Sequence, residues 1–285
     1  MAVESITVPR GGEPSTGSRT LRALATLSGR RFSLTAHTPR EIFVPLLTPV
    51  LFAVVIAPAL ATALGSFRPD VDYMSFVAIA TVGLLVPLNT MFSGIGVIVD
   101  RESGARRELL TAPIPRMLVV LGNMSVALVV TALQVVVLIG FAALRGADFT
   151  ASASGIGWFI GAGLLLAIGM YGAAETMANR IPRQEEYVAA VPAVAIVPWF
   201  FAGSLFPIGA LPAGLTMFAR VLPLTHTLAL MRYGLGVDPR GIGLHDIWGL
   251  TSPTVMAGLS LAVVAAFAVV MTTLAIRVFT RSAVR

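Results

Sequence analysis

"DRESGARRELLTAPIPR", residues 100–116, is the most charged stretch of the chain, and apolar runs flank it on both sides. It carries Arg101, Arg106, Arg107 and Arg116 beside Asp100, Glu102 and Glu108. Neither residues 73–99 before it nor residues 117–144 after it contain a charged side chain. Each run exceeds the roughly 20 residues a helix needs to cross a hydrocarbon core. The simplest reading is two spanning helices joined by a short charged connection.

The composition extends this reading to the whole chain. Hydrophobic residues make up 56% and charged ones only 12%, about half the charged share of an ordinary soluble protein. A polytopic, all-α membrane protein is expected. Six spans are expected: near Ile42–Leu64, Tyr73–Val99, Met117–Leu144, Gly155–Ala174, Tyr187–Phe206 and Pro253–Ile276. Helices are the natural form for such runs, because lipid leaves no backbone polar group a partner outside the segment. Every basic residue is arginine. With both termini cytoplasmic, only Arg68, Arg145, Arg220, Arg232 and Arg240 fall outside, as the positive-inside rule requires. Arginines spread between apolar runs do not form the basic face of a nucleic-acid binder. Cysteine is absent, which removes disulfides and thiolate chemistry.

Residues 1–18 read as a disordered cytoplasmic tail and 19–285 as one transmembrane domain. In residues 19–41, Leu21, Leu24 and Leu27 recur among Arg19, Arg22, Arg30 and Arg31. That pattern suits an interfacial helix on an anionic inner leaflet, or a plain basic anchor before a span. Residues 207–250 are apolar but broken by Pro207, Pro212 and Pro223, after Gly203 and Phe206. Proline removes a donor and clashes with the preceding turn, so short re-entrant helices are expected here, and His226 would bond carbonyls freed by the breaks.

Physically, residues 100–116 suit a short helix along the membrane. Arg101, Glu102, Arg106 and Glu108 would face water, Leu109 and Leu110 the membrane, and Pro113 and Pro115 would end it. Such a helix is either a docking surface for a soluble partner or a solvated loop that sets topology. The stretch resembles the cytoplasmic loop of type-2 ABC exporter permeases, in which Asp100, Arg101, Glu102, Gly104, Glu108, Leu109, Leu110, Pro113 and Arg116 occupy matching places. Ala105 and Arg106 stand where that family often has Thr-Leu. "FFAGSLFPIGALPAGLTMFARVLPLTHTLALMR" is similar to the segment after span five of the same family, closest to its daunorubicin-resistance-type efflux branch. There Gly203, Phe206-Pro207, Leu211-Pro212, Leu222-Pro223-Leu224-Thr225-His226 and Arg232 match.

The resemblance implies a permease subunit paired with a second copy or a paralogue. It would be driven by two separate ATP-binding subunits that hold ATP and Mg. No cofactor belongs to this chain, which lacks a G-x-x-x-x-G-K-[ST] loop. Residues 100–116, with Arg107, would then be the coupling helix. The gate would involve Gly203, Phe206, Pro207, Pro212, Pro223, His226 and Arg232. A pathway for hydrophobic small molecules would be lined by Phe52, Asn89, Met91, Phe92, Trp199, Phe200 and Phe201, although such side chains more commonly pack or face lipid. Export of a lipid-linked glycan or polymer is the alternative cargo, and a lipid-modifying membrane enzyme or an assembly protein the rival classes.

The remaining polar residues point less sharply. Asn89, Asn123 and Gln134 are expected to bond between helices. Glu175 is expected at the interface, paired with Arg180 or Arg183. Glu185 and Glu186 read as a second contact surface or as solvated. His37, His226 and His245 have no metal-ligand spacing, and no catalytic triad is arranged.

Overall fold

The structure is a computed structural model. It describes residues 16–36, 72–111, 115–238 and 240–282, with isolated positions between 47 and 62. The described residues form helices and no strand. The expected tail and the first expected span lie essentially outside them, as do Phe52 and Pro113.

Helix α1 (Thr16–Ala36) lies against the start of α5 (Arg116–Leu144). The Ser28 and Ser125 hydroxyls meet at 2.8 Å, and Leu27 covers Gly122. Helix α2 (Tyr73–Phe92) opens on Asp72, whose carboxylate accepts from the Met74 N–H at 3.0 Å and the Ser75 N–H at 3.3 Å. The N-cap satisfies two of the donors that a helix start leaves open.

Helix α2 breaks at Ser93–Gly94 and continues as α3 (Ile95–Glu102). The break has a visible cause. Tyr187 Oη donates to the Met91 carbonyl at 2.5 Å, and a Cβ on Gly94 would lie 2.1 Å from that oxygen. Helix α4 (Ala105–Thr111) follows after a two-residue turn. Beyond α5 come α6 (Ala153–Ala178) and α7 (Gln184–Phe201). A 3-10 turn (Ile208–Ala210) leads to α8 (Ala213–Val221), α9 (Pro223–Gly234), α10 (Ile242–Trp248) and α11 (Pro253–Ser282).

Four helical stretches among the described residues are long and apolar enough to cross a membrane: α2–α3, α5, α6 and α11. The bent pair α8–α9, turned by 80°, makes a fifth if counted as one span. Expected span five is shorter than the sequence suggests. Its helix stops at Phe201, so from Tyr187 it rises only about 22 Å at ~1.5 Å per residue.

Helices α6 and α11 pack along much of their length, and a Cβ on Gly172 would stand 2.6 Å from the Met271 carbonyl carbon. Helix α9 lies inside the bundle against α2, α6 and α11, with nearly every side chain from Leu224 to Arg232 buried. That burial on all sides is what a short core helix requires. Pro223 starts it at its first turn, where a missing N–H costs nothing. His226 does bond a carbonyl released by the break: its Nε2 donates to Arg220 O at 2.9 Å. Its Nδ1 then accepts from Ser260 Oγ at 3.1 Å, and Ser260 itself accepts from Trp248 Nε1 at 2.8 Å. Asn89 donates to Gln134 between α2 and α5, as expected of polar residues within spans.

Candidate functional site

The charged stretch folds as the end of α3, a turn, and α4. Gly104 makes the turn at φ +80°. No atom lies within 4 Å of where its Cβ would be, so only the left-handed backbone demands glycine, at a cost to other residues of about 1 kcal/mol.

Two arginines expected to face water turn inward. Arg101 Nη1 donates to Ala178 O at 2.9 Å, and its Nη2 to Ile181 O at 3.0 Å and Pro182 O at 2.7 Å. It thus caps the carbonyl end of α6, where a cation is favoured by the helix dipole. Arg106 lies over the Phe279 ring of α11 at 4.9 Å. Burial pushes its guanidinium below the ordinary value, against the raising influence of Glu175. The spacing of Arg106, Leu109 and Leu110 at i, i+3 and i+4 places them on one helix face, and this is the sequence signal that a water-facing assignment of Arg106 overlooks. Leu109 and Leu110 pack with Val119, Tyr171 and Phe279.

The remaining charges divide cleanly. Asp100 is buried and pairs with Arg30 of α1 at 3.5 Å. Arg31 passes so close to Gly96 that a Cβ there would meet its guanidinium at 1.5 Å. Arg116 reaches Thr280 O at 3.4 Å. Glu102, Arg107 and Glu108 are exposed. The segment is therefore pinned to α1, α6 and α11 by one face and presents a compact mixed-charge face outward.

Glu175 corrects an expectation. It is 1% exposed and pairs with neither Arg180 nor Arg183; Arg183 instead approaches Glu186 at 3.9 Å. Tyr171 Oη donates to Glu175 Oε2 at 3.0 Å and Asn179 Nδ2 to its Oε1 at 3.0 Å. The three side chains recur every four residues down α6, one above another, because the helix continues past Glu175 to Ala178. With Asp100, Arg106, Asn123 and Phe279 the carboxylate lines a cavity of about 10 Å³, room for one water at most. Glu175→Gln, which keeps the shape and an acceptor, is expected to hold stability within about 1 kcal/mol of the native chain. Glu175→Leu strands the Tyr171 hydroxyl, while Asn179 Nδ2 keeps the residue-175 backbone carbonyl at 2.8 Å, and should cost about 1–3 kcal/mol. Thermal unfolding in detergent checks the pair. Glu185 and Glu186 stand exposed in the first turn of α7.

The described residues of the suggested pathway do not come together on one surface. Met91 is fully buried, and Trp199 is 2% exposed with Nε1 donating to Ala80 O at 2.7 Å. Asn89 is taken up by Gln134. Phe92 is half-buried, Phe200 is exposed and meets Trp199 edge-on, and Phe201 packs edge-on against Phe218. At the opposite end of the bundle, Gly203 adopts φ +75°, and its carbonyl accepts from Arg232 Nη1 at 2.7 Å. Phe206 is 41% exposed. Pro207 and Pro212 stand at the N-caps of the 3-10 turn and α8. Among the described residues no cluster of His, Asp or Glu is arranged to hold a metal ion.

An apolar helical bundle with a pinned, charged helix at one end is the pattern of a multi-pass membrane protein. Residues 22–235 match the family described as ABC-2 type transporter, and the chain belongs to that family. It is a membrane subunit of an ABC transporter, a permease and not itself an ATPase. A search of curated proteins finds no match.

Proposed function

We propose that this chain is the permease of an ATP-driven exporter moving hydrophobic or amphiphilic small molecules, such as antibiotics, drugs or lipid-like metabolites, out of the cell. It works in the inner membrane with both termini cytoplasmic, beside a second copy or a paralogue. Two ATP-binding subunits hold the ATP and Mg. Helix α1 lies along the inner leaflet, and α8–α9 re-enter the membrane from the outer side. The observation that carries this reading is the two-faced α3–α4 segment. Glu102, Arg107 and Glu108 are free to meet a partner, while Arg101 and Arg106 tie the same segment to the ends of α6 and α11.

A displacement imposed on α4 by closure of the nucleotide-bound partners would reach both helices through those two arginines. Access to the transport pathway then follows the partner's nucleotide state, as a two-state element biased by binding at one end. Export of a lipid-linked glycan uses the same device with a different cargo. The test is co-purification with the candidate ATPase, using the native chain and the Glu102→Arg, Glu108→Arg double variant. Both side chains are exposed, so the reversal spares the fold. Retention by the native chain and loss of at least tenfold in the variant is expected. Equal retention by both would return the segment to a topology signal and reopen the enzyme and assembly readings.

A further inference from the structure

A cavity of about 350 Å³ lies at the end of the bundle opposite α4, within the size range of small-molecule sites. Its walls come from the start of α2, the turn after α7, α9, and the loop into α10. Two buried polar atoms beside it lack partners among the described residues. Thr225 is 3% exposed, and its hydroxyl makes no hydrogen bond. Arg232 is 9% exposed and its Nε is unpartnered. The rest of the guanidinium is committed: Nη1 and Nη2 donate to Gly203 O and Ser204 O at 2.7 and 2.9 Å, and its plane covers Phe76 at 3.6 Å. Buried polar groups left unpaired are uncommon and costly, and two lining one cavity point to a ligand.

The charge pattern selects the ligand's sign. No carboxylate touches Arg232 among the described residues. Asp238, the nearest acid acting on it, spends its two oxygens on the Ile242 and Gly243 N–H groups at 3.0 and 2.8 Å. Asp246 stands half-buried on the far wall, its carboxyl pushed up by burial. Arg240 and Ile242 line the cavity and are exposed, which marks its mouth. Phe76, Ala202, Ile208, Ala229 and Val237 supply an apolar wall.

We infer that this cavity binds one anionic amphiphile, its phosphate or carboxylate oxygens completing Arg232 Nε and the Thr225 hydroxyl and its chain lying on the apolar wall. The inference is separate from the export reading, because occupancy is measured without ATP or a partner. The full chain in phosphatidylcholine nanodiscs is titrated with decyl phosphate, and bound copies are counted by native mass spectrometry. One saturable decyl phosphate per chain is expected, with decyltrimethylammonium and inorganic phosphate at least tenfold weaker. Thr225→Val, which removes only an unpartnered hydroxyl, should weaken binding about tenfold, the loss of one hydrogen bond to a charged group, while the unliganded melting temperature holds. Ala229→Leu, which fills the cavity, should abolish binding. Equal binding of the cation, equal binding of inorganic phosphate, or a Thr225→Val chain that binds as tightly as the native one would each overturn the proposal.

Discussion

Arg101→Gln is expected to leave the ATP-binding partner attached and hydrolysing while cargo flux falls at least tenfold. The side chain faces the bundle, so the outward face of Glu102, Arg107 and Glu108 survives the change. What disappears is the set of three hydrogen bonds from one guanidinium to Ala178, Ile181 and Pro182. Each is a charge-assisted bond of about 1.5–3 kcal/mol, but glutamine replaces part of the set and water rehydrates the exposed Pro182 carbonyl, leaving a net stability cost of about 2 kcal/mol. The fold tolerates that loss; force transmission from α4 to α6 does not. Separate assays of partner retention, ATP turnover and cargo flux in vesicles check the split. If retention falls together with flux, Arg101 is itself a docking contact and the division of faces is wrong.

Gly172→Val should be severely damaging. The added Cβ would stand 2.6 Å from the Met271 carbonyl carbon and 2.8 Å from the Thr272 nitrogen. Both are backbone atoms of α11 and cannot rotate away. Separating the two helices also disturbs Gly169, three residues earlier, where the Phe267 ring approaches to 2.5 Å of a Cβ position. Overpacking of this kind costs about 3 kcal/mol or more, and loss of a monodisperse chain on size exclusion is expected. Gly157→Ala on the same helix is the matched control. Nothing lies within 4 Å of its Cβ position, so alanine's better helix propensity should raise stability by about 0.5–1 kcal/mol. A Gly172→Val chain that melts with the native protein would place α6 and α11 farther apart than described.

Much of this architecture is legible from residue type alone. Apolar runs gave the helices, and Pro207, Pro212 and Pro223 gave the positions where short elements begin. Asn89 and Gln134 announced a contact between their helices because a polar side chain in lipid needs a partner. The inward turn of Arg101 was not legible, since its acceptors are backbone carbonyls that any residue could supply. Glu175 was misplaced for a related reason. Two arginines close in sequence suggested a salt bridge, whereas helical spacing gave the carboxylate to Tyr171 and Asn179. The burial of α9 was hidden as well, because its composition does not distinguish a helix facing lipid from one surrounded by other helices.

Two kinds of attachment meet near the break in α2. Before it, α2 is embedded in apolar packing around Ile79, Leu85 and Met91, where movement means opening voids. Beyond it, Val97 and Ile98 still belong to that core, and past them Asp100, Arg101 and Arg106 add an ion pair, a row of carbonyls and an aromatic ring. Such contacts are exchangeable: a guanidinium can release one carbonyl as it takes the next. Tyr187, whose hydroxyl rests on the Met91 carbonyl at the break, therefore fixes the start of α3 to the core, and the exchangeable contacts begin only past Ile98.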